Sequence, residues 1–298
     1  MKLAGFADEA AADIMGQIAA LKALGWKTIE LRSVDGISAH DLEEDKLASV
    51  YAALEQEEIE VCALGSTIAN WGQSVQTPFD KTKHAVERAI ACMKKLRIPY
   101  IRIMSYAVEL DEDGRALSDQ QEQERFKRLR YICDRFLDNE LIPVHENCHT
   151  YGGMSFEHTL RLLNEVPGLK LVYDTGNPPV TPDFRNPFPY SRQDSWKFYE
   201  HVKEHIVHVH IKDAGWDDVS GDEIYRYPGE GNGAVLPIVT DLLRNGYDGT
   251  FSIEPHMTVV FHDASVQASD TIRFENFVSY GRKFESLLEE ATKQVKLS

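Results

Sequence analysis

The 298-residue chain is 43% hydrophobic, 27% charged and 10% aromatic, enough apolar material for one large core. No stretch approaches the ~18 apolar residues that cross a bilayer, and the N-terminus lacks a basic region followed by an apolar run, so neither a membrane span nor a secretory signal is expected. A formal net charge of -16, with 48 acids against 32 bases, argues against a nucleic-acid backbone as partner.

In chain order, β-branched or apolar runs fall at residues 2–6, 28–32, 60–65, 100–104, 142–146, 170–174, 206–212 and 250–254. Amphipathic helical patterns lie between them, near 12–24, 43–57, 80–96, 118–139, 155–165, 194–203, 234–245 and 269–292. Eight strands, each followed by a helix, predict an α/β fold, a single-domain (β/α)8 TIM barrel using all of residues 1–298. Gly25, Gly168 and Gly246 each follow a helix, where a left-handed residue costs glycine little. The loop at 178–190 carries five of the twelve prolines and is expected to shape the active-site face or to form a surface contact. Cys62, Cys92, Cys133 and Cys148 have no CxxC spacing and fit reduced thiols, hence a cytoplasmic protein.

The chemistry gathers at four consecutive strand ends: Glu146, Asp174, His210 and Glu254. Neighbouring barrel strands lie about 4.8 Å apart, so three carboxylates and an imidazole there converge on one point. Within strand 206–212, His208, His210 and Lys212 share a face, and His208, one layer deeper, reads as a supporting rather than a ligating residue. Three oxygen donors with one imidazole and no thiolate suit a divalent ion with open positions, not a structural zinc site. His149 and His256, shortly after Glu146 and Glu254, are candidates for binding substrate hydroxyls or shuttling protons. Lys212 and Asp213 are expected to pair, with Lys212 reaching a substrate oxygen. Arg226, Ser66 and Trp71 complete the candidate substrate contacts, Trp71 as an apolar platform. The glycine turn at 229–233 precedes a helix and is a weak candidate for cradling a phosphate. Neither GxxxxGK nor GxGxxG occurs, so no nucleotide cofactor is expected.

These segments together (GFADE at 5–9, ELRSVDG at 30–36, HENCHTYGG, DTGN, HVHIKD, GEG and IEPH) resemble the sugar isomerase/epimerase superfamily with the xylose isomerase-like TIM barrel. The resemblance implies that Glu146, Asp174, His210 and Glu254 hold one divalent ion, Mn²⁺ first, with Mg²⁺, Co²⁺ or Zn²⁺ as substitutes. It also implies a small sugar substrate, Glu146 and Glu254 as the catalytic pair, and homo-oligomers as a common state. Removal of a proton beside a carbonyl leaves an enediolate, whose fate gives a ketose isomerase or epimerase. Loss of a β-leaving group gives instead a lyase or dehydratase of a keto-sugar, keto-inositol or oxidised glycoside. A non-catalytic sugar-binding barrel is the third reading. Metal-dependent DNA repair, on a similar barrel, would require more histidine ligands and a basic face. The chain departs from relatives at Asn70 and Trp71, where many carry lysine, and at Asn177, where some ketose epimerases carry histidine. Asn177 therefore joins the substrate contacts, but the identity of the substrate does not transfer.

Overall fold

The computed structural model describes residues 1–258 and 268–297. Eight parallel strands form the central sheet: β1 (Lys2–Gly5), β2 (Thr28–Leu31), β3 (Glu60–Gly65), β4 (Tyr100–Ile103), β5 (Ile142–Glu146), β6 (Lys170–Asp174), β7 (Ile206–Ile211) and β8 (Thr250–Ile253). Their hydrogen-bonded order is β1-β8-β7-β6-β5-β4-β3-β2, and β1 stands beside β2, so the sheet comes round on itself as a nearly closed barrel. Eight helices follow the strands: α1 (Ile14–Leu24), α2 (Glu44–Gln56), α3 (Asp80–Leu96), α4 (Glu122–Leu137), α5 (Phe156–Glu165), α6 (Ser195–Val202), α7 (Val235–Arg244) and α8 (Asp270–Leu297). The (β/α)8 expectation holds, with strand bounds met to within a residue or so.

Local chemistry accounts for the helix boundaries. Asp13 caps α1 by accepting from the Gly16 amide at 3.0 Å, and Asp194 caps α6 by accepting from the Lys197 amide at 2.7 Å. Gly25, Gly168 and Gly246 all take positive φ, between 75° and 85°, as expected after a helix. The apolar strand faces pack outward on the helices in one continuous core, from Leu21 and Ile29 through Leu171 and Val209 to Phe251 and Phe284. All four cysteines are buried free thiols. No helix among the described residues is long and apolar enough to cross a membrane.

Two features lie beyond the eight-fold pattern. After β7 the chain makes an antiparallel ribbon, Asp213–Asp217 against Asp222–Arg226, over the C-terminal end of the barrel. The proline-rich loop begins as a buried turn, Pro178–Val180, packed against the ribbon. Phe184 packs on Tyr190, and the Tyr190 hydroxyl accepts from the Ala116 amide at 3.0 Å. Residues 178–190 are not among those that line the central cavity.

Candidate metal centre

A cavity of about 200 Å³ opens at the C-terminal ends of the strands. At its floor stand Glu146 and Asp174, the last residues of β5 and β6, His210 within β7, and Glu254 just past β8. The ladder sets Asp174 level with His210, and Ser252 level with His210 on the other side, so Glu254 rises one inward position above. All four are at most 3% exposed. His210 Nδ1 lies 3.8 Å from Glu146 Oε1, 3.9 Å from Asp174 Oδ2 and 4.0 Å from Glu254 Oε2.

Ligands about 2.1 Å from a divalent ion lie roughly 3 Å apart when adjacent and about 4.2 Å apart when opposite. The observed spacings fall in that interval. Two of the facing atoms, Asp174 Oδ2 and His210 Nδ1, are buried without a hydrogen bond. Orphaned polar atoms of this kind are rare and call for a reason. An oxygen and a ring nitrogen aimed at one point fit a cation, which on binding takes the place of a proton on the nitrogen.

A second ring of side chains fixes the first. Glu30, from β2, receives His208 Nε2 at 2.6 Å on one oxygen and His210 Nε2 at 3.1 Å on the other. That bond holds the proton on Nε2 and turns Nδ1 toward the tetrad. His208 is thus the supporting histidine that its depth implied. Asp174 Oδ1 accepts from the amides of Gly176 and Asn177, both at 2.8 Å, leaving Oδ2 turned toward His210 and Lys212. Arg102 Nη1 donates to Glu146 Oε2 and Arg32 Nη1 to Glu254 Oε1, each at 2.9 Å. Both guanidinium groups lie over the Phe6 ring, at 5.3 and 4.4 Å from its centroid.

Protonation follows from this crowding. Burial raises the Glu146 carboxyl, but Arg102 and His210 outweigh it and bring it down to about 2. Burial likewise opposes the charge on Glu254, yet Lys212, His256 and Arg32 hold it well below the usual carboxylate range. Asp174 has no arginine. Burial with its carboxylate neighbours lifts it to about 7 despite Lys212. Burial disfavours the His210 imidazolium, but Glu30 and Glu146 raise it to about 10.

Of the residues expected to touch substrate, Trp71, His149, Asn177, Lys212 and His256 line the cavity. Asn177 Nδ2 donates to Glu146 Oε1 at 2.9 Å. Lys212 Nζ is 3.1 Å from Asp174 Oδ2 and 3.3 Å from Glu254 Oε2. Ser66 is not at the cavity: its buried hydroxyl donates to the Arg102 carbonyl at 2.5 Å. Arg226 ends the ribbon, exposed and opposite Asp213, outside the cavity wall. Lys212 and Asp213 do not pair, because adjacent strand residues point to opposite sides. Asp213 instead accepts from the amides of Gly229, Gly231 and Gly233 at 2.8, 3.0 and 2.7 Å. Those amides are spent on a side chain, so the glycine turn offers no phosphate cradle.

Glu30, Arg32 and Arg102, inside or beside short apolar strands, and Glu223 and Tyr225 of the ribbon, which wall the cavity, belong to the site without being candidates from sequence. A charged residue inside a four-residue apolar strand was the available signal, since such residues are almost never fully buried unless paired. For the ribbon residues no comparable signal exists.

The chain matches the family model described as xylose isomerase-like TIM barrel over residues 18–274. It belongs to that family. Among solved members of this fold, a D-tagatose 3-epimerase-like protein superposes with a TM-score of 0.73 at 17% identity, covering 99% of this chain and 100% of its own. A probable 3-DHS dehydratase of petrobactin synthesis from Bacillus anthracis gives 0.66 at 18% identity, covering 93% and 97%. A xylose isomerase-like TIM barrel protein from Mycobacterium smegmatis in complex with magnesium gives 0.64 at 16%, covering 94% and 91%. At these identities the likeness establishes the shared barrel. No curated protein matches the chain in sequence.

Proposed function

We propose that this chain is a divalent-metal-dependent isomerase or epimerase of a ketose or keto-sugar, working by proton abstraction beside the carbonyl through an enediolate. The observation that carries the reading is the tetrad of Glu146, Asp174, His210 and Glu254, in which His210 Nδ1 is buried without a hydrogen bond and Asp174 Oδ2 is met only by the Lys212 ammonium. The donor set suits Mn²⁺ first, and Mg²⁺, Co²⁺ or Zn²⁺ after it. When bound, such an ion supplies Lewis acidity to a substrate carbonyl and its neighbouring hydroxyl.

The chain's own groups do the rest. Glu146 and Glu254, on strands three steps apart and ionised at neutral pH, are the proposed catalytic pair. One accepts the proton from carbon, and its return to the opposite face or the adjacent carbon gives epimerisation or isomerisation. Arg102 and Arg32 hold the outer oxygen of each, so the carboxylates keep their orientation as charge moves. Asn177 and Lys212 offer N–H groups beside the pair, and Trp71 offers an apolar face at the rim. The D-tagatose 3-epimerase-like neighbour supports the class of reaction.

A second reading, a lyase or dehydratase, has one observation in its favour. The His149 imidazole and the Tyr225 hydroxyl, which donates to Glu223, border the same cavity as candidate proton donors to a leaving oxygen, and one neighbour is a probable dehydratase. Release of water or an aglycone, rather than a product of equal mass, decides for it.

The deciding experiment is metal content after incubation with Mn²⁺ and desalting, for wild type beside an Asp174→Asn, His210→Ala double variant. About one ion per wild-type chain, lost in the variant, upholds the site. A screen of ketoses for hydrogen–deuterium exchange in heavy water then tests the chemistry. Folded wild type that retains no metal sinks the mechanism and promotes a non-catalytic sugar-binding barrel.

A further inference from the structure

His256 has φ of 53°, in the left-handed region that side chains with a Cβ avoid. It is buried, and its ring forms part of the cavity wall. Backbone strain of this kind persists only where the surroundings over-determine it. Here one carboxylate does so. Glu9, in the single turn of 3₁₀ helix after β1, accepts the His256 backbone N–H on Oε2 at 2.8 Å and His256 Nδ1–H on Oε1 at 2.9 Å. With Nδ1 committed, the opposite ring nitrogen, Nε2, lies 3.8 Å from Glu254 Oε1.

Glu9 is itself held from the far side. Arg32 Nη2 donates to Glu9 Oε1 at 3.2 Å and to Asp8 Oδ1 at 2.9 Å, while Nη1 reaches Glu254. One guanidinium thus fixes the spacing between a tetrad glutamate and the support of His256. Glu9, Glu254 and His256 also lie close enough to suggest a second metal site. In that trio His256 Nδ1 is already bonded directly to Glu9 Oε1 at 2.9 Å, whereas His210 Nδ1 in the tetrad is buried without a hydrogen bond, so the ion is assigned to the tetrad. A simple chain cap would need only the backbone N–H; a grip on the ring nitrogen as well orients the side chain.

We propose that Glu9 is a positioning residue that sets the His256 imidazole beside Glu254 as a fixed hydrogen-bonding group for the substrate. This rests on the cavity being the substrate site of the proposed function. The decisive comparison uses the full metal-loaded chain as wild type, Glu9→Ala, His256→Asn and the double variant. Asparagine tolerates left-handed backbone, so His256→Asn guards against a folding failure. Nitrogen-15 NMR of the imidazoles reads the ring directly, on the chain loaded with diamagnetic Mg²⁺ because Mn²⁺ would broaden a ring this close to Glu254. Wild type should show a slowly exchanging His256 Nδ1–H that Glu9→Ala loses, while Mn²⁺ affinity stays near the wild-type value.

Free D-fructose, D-tagatose and D-psicose serve as binding probes. Each single variant should weaken a bound ketose about tenfold, as expected for one lost hydrogen bond, and the double variant should be no worse than either. A wild-type His256 without an Nδ1 proton overturns the proposal. So does a Glu9→Ala variant with unchanged ring signals and ketose affinity, or one in which metal and ketose affinity fall together. If wild type binds no ketose, the functional reading fails, and the Nδ1–H signal in the two Glu9 states decides the positioning role alone.

Discussion

Glu30→Gln removes one charge and one acceptor from the support of His210 without changing the side chain's shape. In the native site each carboxylate oxygen receives one imidazole N–H, at 2.6 Å from His208 and 3.1 Å from His210. An amide has a single acceptor oxygen. If the shorter bond to His208 keeps it, the NH₂ faces His210 Nε2, and the His210 proton shifts to Nδ1, the atom aimed at the tetrad. Loss of such outer support typically weakens metal binding by about 10–100-fold, or ~1.4–2.8 kcal/mol. One effect runs the other way, because Glu30 also lifts the His210 imidazolium to about 10, so an incoming ion must displace a proton. A divalent ion feels the carboxylate about twice as strongly as that single proton does, so removing Glu30 weakens binding on balance. Titration calorimetry with Mn²⁺, in buffers of different ionisation enthalpy, reads both quantities. At about pH 8.5 wild type should release about one proton per ion, and Glu30→Gln close to none, with the lower affinity. Wild-type affinity and wild-type proton release in a folded Glu30→Gln protein would refute the reasoning.

Asp174, raised to about 7, adds a second proton to be displaced below that pH. Proton release should therefore climb toward about two per ion near pH 6, and Mn²⁺ affinity should fall as pH drops through 7. His145 is buried and pushed down to about 4 from 6.5, chiefly by burial. The unfolded chain then binds the extra proton first, so the stability linked to neutral His145 is full above about pH 6.5. About 3 kcal/mol of it drains as pH falls toward 4, and urea titration should show His145→Gln losing that slope. A Cβ at Gly231 would meet Asp213 Oδ1 at 2.4 Å, so Gly231→Ala should cost about 1–3 kcal/mol, read as a lower Tm. Trp71→Ala should raise KM for whichever ketose exchanges its proton, with kcat little changed, because a 39%-exposed rim residue contributes binding rather than chemistry.

The barrel was legible because its strands are short, apolar and bounded by glycines and caps, and each such signal is local. The tetrad was legible for a different reason: strand ends on one side of a barrel share one neighbourhood, so ligand types at four consecutive ends needed no distances. What stayed hidden depends on contacts between distant segments. Arg32 bonds Asp8, 24 residues back, and Glu254, 222 residues on. No periodicity announces such a pairing. Ser66 and Arg226 were misplaced because proximity along the chain does not say whether a side chain points into the cavity or away from it. The ribbon at 213–226 was missed because GWDDVSGDEIYR alternates weakly and carries no apolar face.

The buried charges bear on the substrate as well. Six carboxylates, Asp8, Glu9, Glu30, Glu146, Asp174 and Glu254, surround the cavity floor with three cations, Arg32, Arg102 and Lys212. A divalent ion offsets two of the three uncompensated negative charges. Arg32 and Arg102 are bonded to carboxylates, and Lys212 lies between Asp174 and Glu254. Glu223 adds a carboxylate to the wall. Among the described residues every arginine and lysine that lines the cavity is paired with a carboxylate, so a phosphate dianion entering it would lose its hydration at a cost that a neutral sugar avoids. The substrate should accordingly be a neutral sugar. In a competition assay against metal-loaded protein, a free ketose should bind at least about tenfold more tightly than its phosphate ester, a modest ~1.4 kcal/mol of discrimination. A phosphate ester that bound as tightly as the free sugar would show that a cation is released on binding, with Lys212 leaving Asp174 as the first place to look.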